Sequence, residues 1–151
     1  MEAVIYGGGK LGSMLVPHLV QAGYTISIID NDPQFLESIS IDLSVKGVLV
    51  KDPMMQDYLK DAGINIAELF IAVSANDQKN ILESQTAQNI YNVENVICRV
   101  EDPQLQNFYS GLGIKIVGTS ILNIFNDIER IVGIQKFLLK KWTFINILLQ
   151  N

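Results

Sequence analysis

Val4-Ile5-Tyr6-Gly7-Gly8-Gly9-Lys10-Leu11-Gly12 reads as a short apolar strand that turns through glycines into a helix. Glycines 7, 9 and 12 have the spacing G-x-G-x-x-G. The first such glycine permits a tight turn, the second lets phosphates approach the backbone, and the third lets the helix pack closely on the sheet. Backbone N–H groups at the start of such a helix face an anion. A nucleotide binder is therefore expected. The alternative is a nucleotide-free Rossmann-like fold that keeps the glycines for structure alone. The glycines by themselves are weak evidence, and their place between a strand and a helix is what gives them weight.

Outward from this stretch the chain alternates strand and helix with short connections. Strands are expected at 3–6, 25–30, 47–50, 69–73, 96–100 and 115–117. Helices are expected from Leu11 to Ala22, from Pro33 to about Ile39 or beyond, from Asp52-Pro53 to Ala62, from Asp77 to Tyr91, and from Pro103 to Tyr109. Pro17 predicts a kink in the first helix. Asn31-Asp32-Pro33 is a cap followed by proline at the first helical position. Leu69-Phe70-Ile71-Ala72-Val73 is apolar throughout, as in a strand covered on both faces. The expectation is α/β: a Rossmann-like, doubly wound parallel sheet of about six strands with a C-terminal helical extension. In that extension Ile121, Ile124, Phe125, Ile128, Ile131 and Val132 form one apolar stripe, and Phe137, Leu138, Trp142, Ile145 and Leu149 continue it beyond Gly133.

With 151 residues the chain suits one well-buried domain. It is 48% hydrophobic and 18% charged, which predicts a packed globule. A dehydrogenase needs a nucleotide domain and a substrate domain, and here the first would use nearly the whole chain. The net charge of −5 and the lack of a basic block argue against a nucleic-acid partner. Cys98 is the sole cysteine and lies in an apolar run, so a buried structural thiol in a reducing compartment is expected. The N-terminal stretch does not read as a signal peptide, and no segment has the roughly 18 apolar residues of a membrane span.

Several side chains could meet a nucleotide. Asp30 closes the second strand, where a carboxylate can accept both hydroxyls of an adenosine ribose and would repel a 2′-phosphate. Lys10 is either a point charge for a phosphate tail, which favours a mononucleotide polyphosphate, or a solvated surface lysine. Asp52 could accept from an adenine amino group or cap the next helix. Asn76, Asp77 and Asn80 fall at the carboxyl edge of the sheet, where ligands gather, but read more readily as caps or helix-surface residues. Arg99 is either an ion-pair partner of Glu101 or Asp102, or a donor to phosphates or a neighbouring subunit. The candidate ligand set comprises Gly7, Gly9, Lys10, Leu11 and Gly12 in the loop, Asp30 and Asn31 at the second strand's exit, and Asp52, Val73 and Arg99 from later strands. His18, the only histidine, lies within the first helix and reads as a helix residue. No Cys/His cluster, G-x-x-x-x-G-K-[ST] loop or G-x-S-x-G elbow occurs. No catalytic acid, base or nucleophile is expected, and no metal.

Four segments together resemble the TrkA-N domain, the nucleotide-binding half of the RCK family that regulates potassium channels and transporters. They are the glycine loop, Ile28-Ile29-Asp30-Asn31-Asp32-Pro33, Asp61-Ala62-Gly63-Ile64 with Ala67-Glu68-Leu69-Phe70-Ile71-Ala72-Val73, and Arg99-Val100-Glu101-Asp102-Pro103. Leu112-Gly113-Ile114 extends the likeness, which covers about residues 1–133. The resemblance implies binding of ATP, ADP, AMP or NAD(H) without necessary turnover. It implies that Gly7, Gly9 and Gly12 line the phosphates, that Asp30 holds the ribose and that Asp52 lies near adenine. Lys10 matches a basic position near the phosphates, and Arg99 one near the ligand or a subunit interface. It further implies a homo-oligomer, a dimer or higher ring, under a membrane-embedded potassium transporter or channel subunit, with the domain in the cytoplasm. The stripe from Ile121 to Val132 resembles a crossover helix packed on a partner subunit; intramolecular packing is the alternative. The sequence departs from the family where Lys51-Asp52 replaces the usual Gly-Asp, and where the tail after Gly133 is too short for a C-terminal ligand-binding subdomain. Residues 134–151 are expected as an amphipathic helical tail. The competing readings are an NAD-dependent oxidoreductase, or its nucleotide-binding half, and a nucleotide-sensing scaffold unrelated to ion transport.

Overall fold

The computed structural model describes residues 1–43, 45–52, 56–118, 120, 123, 124, 126, 127 and 130. In chain order the elements are β1 (Glu2–Tyr6), α1 (Gly9–Gln21), β2 (Thr25–Asp30), α2 (Pro33–Leu43), β3 (Lys46–Leu49) and α3 (Asp57–Asp61). A single 3-10 turn follows (Ile64–Ile66), then β4 (Leu69–Ala72), α4 (Asp77–Asn89), β5 (Asn95–Arg99), α5 (Pro103–Ser110) and β6 (Lys115–Val117). The strands form one parallel sheet in the order β3-β2-β1-β4-β5-β6. The order reverses between β1 and β4, which opens a crevice at the carboxyl ends of those two strands. The expected Rossmann-like doubly wound sheet of six strands is thus observed.

Side-chain alternation along the strands divides the core into two layers. Ala3 and Ile5 of β1, Ile26 and Ile28 of β2, and Leu69 and Ile71 of β4 pack against Leu15, Val16 and Leu19 of α1 and Leu36 and Ile39 of α2. On the other face Val4, Ile29, Phe70 and Ala72 meet Tyr58 and Leu59 of α3 and Ile81 and Ala87 of α4. All four residues of β4 are completely buried. Removing each large apolar side chain from water contributes about 1.5–3 kcal/mol before the conformational entropy is counted. That is why the central strand reads as an unbroken apolar run.

Some expectations change in detail. α1 begins at Gly9, two residues earlier than expected, so the second half of the glycine loop already belongs to the helix, which includes Pro17. α3 begins at Asp57 with Gln56 as its N-cap, so Asp52 does not cap it. Ile124 is buried in the chain's own core, which is the intramolecular alternative for that position of the C-terminal stripe. Pro53, the other stripe positions Ile121, Phe125, Ile128, Ile131 and Val132, the domain boundary at 133 and the tail 134–151 lie outside the described residues. Cys98 is buried, and burial pushes its thiol up to about 11, in keeping with a structural role. Among the described residues no helix is long and apolar enough to cross a membrane.

Candidate functional site

The crevice is built around the turn from β1 into α1. Gly7 sits at φ +87°, and a Cβ there would lie 2.5 Å from the Ser74 backbone, so the first glycine is required twice over. A Cβ on Gly12 would lie 2.5 Å from the Gly7 carbonyl oxygen. This glycine lets α1 sit close over the loop, and it is buried rather than part of the crevice wall. Around Gly9 a Cβ would meet nothing within 4 Å; the space lies open to a ligand. The N-cap of α1 is Gly8, which offers no side-chain acceptor, and the first turn carries no acid. The leading N–H groups and the positive end of the helix dipole are therefore not satisfied by the helix's own side chains.

Asp30 faces this turn from the end of β2. Its Oδ2 accepts from Gly8 N at 2.7 Å and its Oδ1 from Asp32 N at 2.9 Å. Two backbone donors thus fix the carboxylate in place, and each oxygen keeps a lone pair for a further donor. Asp32 caps α2, its Oδ1 accepting from Gln34 N at 2.9 Å and Phe35 N at 3.2 Å.

The crevice has two lobes that share Gly7, Asp30, Asn31, Ser74 and Ala75. One, of about 470 Å³, adds Tyr6, Ile29, Val50, Asn76 and Lys79. The other, of about 360 Å³, adds Gly9, Lys10, Leu11, Val73 and Arg99. The first offers flat apolar surface suited to a base. The second brings together an ammonium, a guanidinium and a helix N-terminus, as polyanions require. Asp30 lines both lobes and stands where the two join. The Tyr6 hydroxyl is pushed up to about 12, by burial first and then by the Glu83 and Asp30 carboxylates. It remains protonated at neutral pH and is a donor, not a base.

The opposite wall is locked by hydrogen bonds that no spacing in the sequence announced. Asn80 of α4 is fully buried. Its Oδ1 accepts from Ser74 N at 3.0 Å and Ser74 Oγ at 2.6 Å, and its Nδ2 donates to Ser74 O at 2.8 Å and Arg99 O at 3.0 Å. Asn80 is a core clamp and not the helix-surface residue expected. Asn76 caps α4, accepting from Lys79 N at 2.9 Å, and also borders the apolar lobe. The Asp77 Oδ2 accepts from Glu101 N and Asp102 N, each at 2.9 Å. Arg99 takes the first of its alternatives: it pairs with Glu101, and it also donates from Nη1 to Ser74 O at 2.9 Å and lines the cationic lobe.

Of the candidate ligand residues, Gly7, Gly9, Lys10, Leu11, Asp30, Asn31, Val73 and Arg99 are brought together around the crevice. Asp52 is exposed two residues beyond Val50 and outside both lobes, as is buried Gly12. Sequence reasoning missed Tyr6, Ile29, Val50, Ser74 and Ala75. Position was the available signal, since each lies at or just beyond the carboxyl end of a strand.

This fold and crevice define a doubly wound α/β domain with a ligand cleft at its topological switch point. The chain belongs to the TrkA-N domain family, whose pattern it matches over residues 3–120. It is 38% identical over 119 residues to the Trk system potassium uptake protein TrkA of Streptomyces coelicolor, an alignment covering 79% of this chain and 53% of that protein. The chain spans about half or less of the length of the curated relatives it matches. Among solved structures, the TrkA-N domain of the inner membrane protein ybaL from Escherichia coli superposes with a TM-score of 0.69 at 17% identity, covering 78% of this chain and 87% of that one. The AMP-bound Kef CTD of Shewanella denitrificans gives 0.69 at 20% identity, over 99% of this chain and 93% of that one. At these identities the likeness concerns the fold.

Proposed function

We propose that this domain is the adenine-nucleotide sensor of a potassium transport system, working as a regulatory subunit at the cytoplasmic face of a membrane-embedded transporter or channel. The observation that carries the reading is the two-lobed crevice of a TrkA-N domain, apolar at one end and cationic at the other, with Asp30 between them. Gly7, Gly9 and the start of α1 would receive the phosphates, with Lys10 and Arg99 beside them. Asp30 would accept from the ribose hydroxyls, and Tyr6, Ile29 and Val50 would face the base. Asp52 would reach the base only by moving in from its exposed position. Potassium uptake relatives named TrkA and an AMP-bound structural neighbour support this assignment. ATP, ADP, AMP and NAD(H) share the adenosine that these residues suit.

The output would be mechanical. An assembly of these domains with two shapes shifts toward the shape that binds the ligand better, and only differential affinity moves it. No chemical step is required. The titratable groups of the crevice are an acid held by backbone donors, fixed cations and a phenol that stays protonated, a set suited to holding a ligand. Calorimetry with ATP, ADP, AMP, NAD⁺ and NADH, read alongside mass by light scattering, tests the proposal. Binding of at least one adenine nucleotide by a dimer or larger assembly, without turnover, is expected. No binding at near-millimolar ligand overturns it, and hydride transfer to a substrate would restore the oxidoreductase reading.

A further inference from the structure

Helix α4 reaches both walls of the crevice from one face. Asn80 holds the Ser74 wall. Glu83, just under one turn further along, is fully buried and serves none of the roles described above. Its Oε1 accepts from the Tyr58 hydroxyl at 2.7 Å and its Oε2 from Gln56 Nε2 at 3.2 Å; Gln56 Nε2 also lies 3.4 Å from Thr86 Oγ1. Among the described residues no ion pair is made to Glu83. A carboxylate buried against neutral donors is a poor way to fill a core, because an apolar side chain of similar size avoids the desolvation.

Its partners indicate what the carboxylate does there. Gln56 and Tyr58 bracket the start of α3, immediately after the segment that leaves β3 through Val50 and Asp52. The Tyr58 ring stacks on Tyr6, with centroids 6.3 Å apart and planes at 29°. Tyr6 and Val50 are the wall of the apolar lobe. Glu83 therefore stands behind the surface that would meet a base, one layer removed from any ligand. The Tyr58 hydroxyl is raised by burial and then by its bond to Glu83, as befits a committed donor.

We propose that Glu83 is a positioning residue for base recognition: by holding Tyr58, whose ring stacks on Tyr6, it fixes the wall of the lobe that would receive a purine base, and so governs selectivity between bases. This rests on the adenine-nucleotide reading and adds to it the origin of base selectivity. A fixed wall can discriminate between bases; a wall free to relax accommodates both.

The test is calorimetry of ADP and IDP, which share ribose and diphosphate and differ at the 6-position, with melting curves for each protein. The wild-type chain is expected to prefer ADP. Glu83→Ala should narrow the ADP-to-IDP ratio about fivefold, the equivalent of one lost hydrogen bond. Tyr58→Phe, which keeps the ring and loses the donated bond, should narrow it part of the way. Glu83→Gln retains an acceptor for Tyr58 and should stay closer to wild type than Glu83→Ala. Asp30→Ala should weaken both ligands equally. If Glu83→Ala does not fold, Tyr58→Phe decides. A ratio unchanged in folded variants, or a wild type that binds both ligands equally, overturns the proposal while leaving nucleotide binding intact. A wild type that binds neither ligand overturns the nucleotide reading itself.

Discussion

Helices α1 and α4 both start at the crevice, one after each strand of the switch point, yet their N-termini are opposites. α1 has a glycine cap with no side-chain acceptor and no acid in its first turn. α4 is capped by the Asn76 side chain and carries Asp77 in its first turn. An anion gains from the first helix end and is repelled by the second. In the proposed binding mode the polarity of the nucleotide follows from which helix leaves its N–H groups open: α1 would be the ligand's helix, and α4, with Asn80 and Glu83 turned inward, the scaffold's.

Substitutions separate the two roles. Gly7→Ala should have the largest effect: a left-handed φ costs about 1–2 kcal/mol and the overlap with Ser74 about 1–3 kcal/mol, readable as a lower urea midpoint. Asn80→Ala comes next. It strands the Ser74 N–H and the Arg99 carbonyl and takes one of two donors from the Ser74 carbonyl, for a loss of about 3 kcal/mol in the same unfolding experiment. Asp30→Ala should cost about tenfold or more in affinity for every adenosine ligand by calorimetry, with a smaller change in melting; unchanged affinity would remove Asp30 from the ribose site. Lys10→Ala should weaken ATP and ADP about threefold while leaving AMP nearly untouched, since an exposed ammonium acts weakly and locally. Asn76→Ala should have the smallest effect on affinity, its cost being about 1 kcal/mol of stability from the lost cap. If Asn76→Ala weakened nucleotide binding more than Lys10→Ala did, the division between the two helices would be wrong.

The fold was legible because its signals are local. Apolar runs mark β1, β2 and β4, and Asp32-Pro33 and Asp102-Pro103 mark helix starts that the structure reproduces, Asp102 Oδ1 accepting from Gln104 N at 2.8 Å. The α1 side of the crevice was legible for the same reason, since its glycines, Lys10 and Asp30 lie in two short segments. The α4 side was not. The buried face of α4 contains Asn80, Glu83, Ser84 and Thr86 beside only Ile81 and Ala87, so no apolar stripe marks it. A polar residue can enter the core only if its partners are there. Arg99 is 19 residues from Asn80, and Tyr58 and Gln56 are 25 and 27 from Glu83, so only the fold brings these pairs together. Ser74 is six residues from Asn80, but nothing in their spacing marks the pair. Asp52 shows the converse. The strong local signal of acid then proline predicted a helix start that tertiary structure moved to Asp57.

The bonds that Asp77 and Asn80 make also bear on how a binding event would travel. Asn80 ties the loop after β4 to the Arg99 carbonyl, Arg99 reaches back to Ser74, and Asp77 grips the backbone of Glu101 and Asp102 at the head of α5. The two loops are therefore cross-linked to each other and to the start of α5. Phe108 of α5 and Leu112, in the turn after it, lie exposed, so a continuous chain of hydrogen bonds leads from the crevice wall to the helix that carries an exposed aromatic ring.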